Sequence, residues 1–137
     1  MKGVDLSWPL GKPRAGDRLL IAGYPATDRD VDYKLCRLKA LGREIEGRYL
    51  QPSPSRWCHE MQLTELDGID DLDGFSGSPV FLLAALRGDV ATVRLAGMLL
   101  RGSANSRRAH YVDAEVLVRF SRAARNAPRT PRDRYAP

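Results

Sequence analysis

Cysteine, histidine and long apolar runs are all scarce in this chain, and each shortage closes off a class of protein. Its two cysteines, Cys36 and Cys58, allow at most one internal bridge. That is too few for a disulfide scaffold, and it is no guide to redox compartment. The two histidines, His59 and His110, do not complete a recognisable zinc spacing with them, so no metal and no other cofactor is expected. No apolar run approaches the ~20 residues that cross a bilayer, and the opening "MKGVDLSWPLGKPRAGD" lacks the continuous apolar stretch of a signal peptide. The chain as it stands reads as soluble, with its compartment left open. Aromatic residues make up only 7% and do not interleave with the basic ones. Base stacking therefore has no platform, and nucleic acid is set aside as a partner. No internal repeat of solenoid-like period is present.

What is present suits one domain, since 137 residues with 43% hydrophobic content supply one ordinary core and not two. Charge is uneven. Residues 1–100 carry 13 Lys or Arg against 14 Asp or Glu, and residues 101–137 carry 9 against 3. The body is nearly neutral and the end is basic. We divide the chain into a lead-in (1–14), a folded body (15–126) and a Pro- and Arg-rich tail (127–137), "APRTPRDRYAP", which reads as a solubilising end.

Within the body, short extended segments alternate with turn signals at a spacing that suits an antiparallel sheet. "RLLIAGYP" (18–25) is a strand ending at a Tyr-Pro turn, and "YKLCRLKALGREIEGRYL" (33–50) reads as two strand-length pieces, or one long bent strand, meeting near Gly42. In "RWCHEMQLTEL" (56–66), Trp57, His59, Met61 and Leu63 share one face, the alternation of a half-buried strand. "PVFLLAAL", the turn "RGD" (87–89) and "VATVRLAGMLL" form a hairpin. Asp113 is placed as an N-cap, and Val116, Leu117, Phe120, Ala123 and Ala124 recur at helical spacing through "AEVLVRFSRAARN". The expected fold is all-β: a small antiparallel six-stranded β-barrel with a C-terminal α-helix, closed because closure removes exposed strand edges.

The most crowded turn is "DLDGFSGSPVF" (71–81), where Ser76 stands close to two glycines. Missing side chains let such a turn tighten and aim backbone N–H groups at one point, where they can stabilise an oxyanion. An α/β-hydrolase elbow would need glycine two places after the serine and then a helix. Here Ser78 and the strand-like "PVFLL" follow instead.

"GFSGSPVF" resembles the nucleophile loop of trypsin-like (chymotrypsin-fold) serine peptidases, commonly Gly-x-Ser-Gly-Gly-Pro before an apolar strand. In the same order, "AGDRLLIAGYP" is similar to the strand that opens the second barrel in bacterial members. "LAGMLLRG" resembles the strand that pairs with the substrate backbone, and "AHYVDAEVLVRF" the last strand and closing helix. The resemblance covers nearly the whole chain but only the C-terminal half of that fold. It implies Ser76 as nucleophile, the N–H groups of Gly74 and Ser76 as the oxyanion hole, and Gly97 and Gly102 as residues that keep the neighbouring strand clear for a peptide or protein substrate. Asp70, six residues before Ser76, has the spacing of the acidic specificity residue in trypsin, which would select Arg or Lys. "ELDGIDDLD" (65–73) reads in the first place as a solvated loop, with the specificity role for Asp70 the alternative.

The family's catalytic His and Asp belong to its N-terminal barrel and have no counterpart in this chain. A serine hydroxyl without a base is a poor nucleophile at neutral pH. The expectation is the nucleophile-bearing half of a serine endopeptidase, inactive when isolated, whose other barrel comes from another chain or was lost by truncation. The alternative is a catalytically silent barrel that binds peptides or proteins. Ser78 in place of the second glycine, Phe75 in place of the aspartate that captures a new N-terminus, and Leu100 in place of a serine bordering the triad are departures from the pattern.

Overall fold

The computed structural model describes residues 9–23, 29–32, 37–40, 42–66, 68–69, 71–83 and 93–126. The order is β1 (Arg18–Gly23), β2 (Arg29–Asp32), β3 (Arg37–Ala40), β4 (Arg43–Pro52), β5 (Cys58–Glu65), β6 (Pro79–Leu83), β7 (Val93–Ser103), β8 (Arg108–Asp113) and α1 (Ala114–Asn126). Six of these strands close an antiparallel barrel in the order β1-β4-β5-β8-β7-β6. This is the six-stranded barrel with a terminal helix that the alternating pattern predicts.

Period-two alternation builds it. Leu19 and Ile21 on β1, Met61 and Leu63 on β5, and Val80 and Leu82 on β6 are buried, while Leu20, Gln62 and Phe81 between them are only partly buried. Phe75 and Leu72 join this core from the loop before β6. Each such side chain contributes about 1.5–3 kcal/mol on burial, so a barrel of this size needs no cross-link. Cys58 is a free thiol, and Cys36 lies outside the described residues.

Two expectations change in detail. Of the two readings of the segment around Gly42, the two-piece one holds, as β3 and β4, but β3 leaves the barrel and pairs with β2 as a separate two-stranded sheet, Val31 opposite Leu38. Trp57 does not share the inner face with Met61. It precedes β5 in a left-handed conformation (φ 64°), is 49% exposed and stacks under the Arg56 guanidinium at 4.4 Å. The 6→7 hairpin is present, Pro79 opposite Met98 and Leu83 opposite Val93, with its "RGD" turn outside the described residues.

The helix spans the expected residues, and Asp113 caps it by accepting the Glu115 N–H at 3.0 Å. Its packing is shallower than the pattern suggests. Only Ala114 is fully buried, Val116 and Leu117 are half-buried, and Phe120 is 65% exposed. Part of the lead-in is tied down, since Gly11 N–H donates to Leu95 O and Leu95 N–H to Pro9 O. Among the described residues, no helix is long and apolar enough to cross a membrane.

Candidate functional site

The turn before β6 is set by two tight bends. Phe75 N–H donates to Leu72 O and Ser78 N–H to Phe75 O. Gly74 (φ 88°) and Gly77 (φ 86°) occupy the left-handed region that other residues adopt at a cost. Gly77 N–H to Leu99 O and Leu99 N–H to Ser78 O, both 2.8 Å, clamp the turn to β7. With Phe75 fully buried as an anchor, Ser76 is left exposed at the tip. The Ser76 N–H has no backbone acceptor among the described residues.

The Ser76 hydroxyl donates to the Leu100 carbonyl at 2.5 Å. That carbonyl is offered by a β-bulge, because β7 shifts register against β8 between Leu99 and Arg101. Leu100 itself is 41% exposed. A hydroxyl donating to a carbonyl is parked, and attack requires a base that takes its proton.

Neither of the chain's two histidines provides that base. His59 Nδ1 accepts from the Tyr49 hydroxyl at 2.8 Å, and Nε2 donates to Asp113 Oδ1 at 3.1 Å. That assignment follows because an ionised carboxylate only accepts. The His59 ring also stacks on Tyr111, centroids 5.2 Å apart. Both ring nitrogens are occupied, and Asp113 Oδ2 caps α1. His110 lies on the outer surface, its Nδ1 4.0 Å from Glu60 Oε1.

Two strand pairings lie between these groups. Leu99, beside the carbonyl that holds Ser76, is opposite Tyr111, and Tyr111 is opposite His59. Burial, with the nearby Asp113 carboxylate, raises the Tyr49 phenol above its ordinary pKa. The same causes, together with Tyr49, raise Tyr111 much further. The Tyr111 hydroxyl is buried and has no hydrogen-bond partner among the described residues.

The other predicted site residues fall as follows. Asp70 lies outside the described residues. Gly97 is buried against β8, where a Cβ would meet Tyr111 Cδ2 at 2.6 Å, and a Cβ at Gly102 would meet Leu72 Cδ1 at 2.7 Å. Both glycines thus have a packing requirement of their own, alongside any role toward a substrate. Sequence reasoning missed the polar chain. Its members are far apart in sequence, and only the β5·β8 register, His59 opposite Tyr111, brings His59 to Asp113.

Among the described residues, no group of three or more His, Cys, Asp or Glu could hold a metal ion. What the Ser76 end offers chemically is an exposed hydroxyl, a backbone N–H beside it and a bulged strand. Compared with known proteins, the chain matches no family model, no curated protein and no solved structure.

Proposed function

We propose that this barrel is the nucleophile-bearing half of a serine endopeptidase of the trypsin-like class, with Ser76 as nucleophile and the His and Asp supplied by a second barrel. The observation that carries the reading is the Ser76 turn. A glycine-flanked serine is held exposed by a buried neighbour, at the end of a closed antiparallel barrel, with its hydroxyl resting on a bulged strand. In this reading the N–H groups of Gly74 and Ser76 receive the oxyanion. An imidazole from the second barrel displaces the Leu100 carbonyl and takes the hydroxyl proton as Oγ attacks the scissile carbonyl. Gly97 and Gly102 keep β7 clear beside the bound chain, and Asp70 selects Arg or Lys before the cut.

A second reading is a catalytically silent barrel that binds peptide. It is favoured by the same hydrogen bond, since Ser76 rests on a carbonyl and both His59 nitrogens are occupied. Co-expression with an N-terminal barrel carrying His and Asp separates the two. The peptidase reading expects fluorophosphonate labelling that is absent from the chain alone and is lost in Ser76→Ala. A stable two-barrel complex that does not label would leave the binding module as the better account.

A further inference from the structure

Next to the Ser76 turn, the outer surface over β5, β7 and β8 holds a cleft of about 290 Å³ lined by Ser53, Ser55, Cys58, Leu100, Arg101 and His110. Its size is at the lower limit of small-molecule sites, which suits one side chain better than a cofactor. Leu100 belongs to both places: it lines the cleft, and its carbonyl holds the Ser76 hydroxyl.

The charges around the cleft do not balance. Glu60, whose side chain is only 16% exposed, is engaged by Gln51 Nε2 at 3.0 Å, by Arg108 at 3.9 Å and by His110 at 4.0 Å. Arg101 is exposed and has no acidic partner among the described residues. Ser53 Oγ accepts from the Ser55 N–H, which leaves its own proton to donate. The Ser55 hydroxyl is a further donor. A pocket with a guanidinium that has no acidic partner among the described residues, and with two serine hydroxyls as neutral donors, matches a group that only accepts, and a carboxylate is that group.

We propose that this cleft binds the carboxylate of a Glu or Asp side chain in a peptide that lies along the bulged part of β7, with Arg101 as the residue that sets the preference. This rests on the reading of the Ser76 end as a peptide site, and it names a second, acidic requirement separate from the residue at the cut. The carboxylate would meet the Arg101 guanidinium and the serine hydroxyls, while the exposed Leu100 side chain covers the peptide's adjoining methylenes.

The test uses the full chain and fluorescently labelled hexapeptide libraries, acetylated and amidated to remove terminal charge, with Glu, Gln or Lys fixed at one position at a time. Anisotropy should show one position where Glu binds on the order of tenfold tighter than Gln, with Lys weaker still. Arg101→Gln should abolish that preference and Arg101→Lys should keep part of it, with thermal unfolding unchanged in both because Arg101 is exposed. Ser76→Ala should keep the preference in full, since the cleft does not use that hydroxyl. Equal binding of Glu and Gln at every position, or a Glu preference that survives Arg101→Gln, overturns the inference and leaves the reading of Ser76 standing. Failure of every library to bind overturns the inference and leaves the peptidase reading to the labelling of the two-barrel complex. A Glu preference in a two-barrel complex that never labels at Ser76 removes the peptidase reading alone.

Discussion

At the α1 end of the barrel a hydroxyl, an imidazole and a carboxylate are bonded to one another, Tyr49 to His59 to Asp113. Two strand pairings away, beside β7, the Ser76 hydroxyl has a backbone carbonyl for company. The residue types of a hydrolytic triad are thus all in the chain, yet divided between a closed array with no open position and an open position with no base. A His–Asp pair is evidence of catalysis only where one ring nitrogen is left for the reacting hydroxyl. Here both are satisfied, and the carboxylate also caps a helix, so the array is a structural tie between barrel and helix.

If so, stability should be sensitive to the array and indifferent to Ser76. Asp113→Ala removes the cap of α1 and the partner of His59 together, and should cost about 2–3 kcal/mol by urea unfolding. A loss no larger than an ordinary surface change would show that the array ties nothing down. Tyr49→Phe breaks one hydrogen bond and leaves His59 Nδ1 without its donor, an expected cost of about 1–2 kcal/mol in the same measurement.

The tyrosines sharpen the contrast through pH. Tyr49 and Tyr111 both have folded pKa values raised above 10.0, chiefly by burial. The unfolded chain therefore releases those protons first. Their contribution is fully present below the unfolded value, and stability should fall as pH rises beyond about 10. Tyr111→Phe should make that alkaline fall shallower while changing stability at pH 7 by less than about 1 kcal/mol, because the hydroxyl it removes has no partner. An unchanged alkaline slope would show that Tyr111 ionises as freely in the fold as out of it. Ser76→Ala should have the smallest effect, within about 0.5 kcal/mol, as expected for an exposed side chain with one hydrogen bond.

The same division explains what could be read from the sequence. The barrel was legible because inward and outward residues alternate along β1, β5 and β6, and the helix because Asp113 and the spacing after it are local signals. The Ser76 turn was legible too, since Gly74 and Gly77 mark left-handed positions directly in the chain. Features set by register were not. His59 meets Asp113 only through the pairing of β5 with β8, and the Leu100 carbonyl reaches Ser76 only because β7 is bulged there. Trp57 and Phe120 fitted the apolar pattern of their segments, but one falls in the turn before its strand and the other lies beyond the helix turns that touch the barrel.

Fluorophosphonate labelling of the isolated chain tests the central claim most directly, because the probe reports whether the serine hydroxyl is activated whatever the substrate. With the His59 nitrogens both occupied and Ser76 resting on the Leu100 carbonyl, the account predicts negligible labelling, indistinguishable from that of Ser76→Ala. Strong labelling of the unmodified chain that disappears in Ser76→Ala would contradict it, and would mean that a base within these 137 residues reaches the hydroxyl after all.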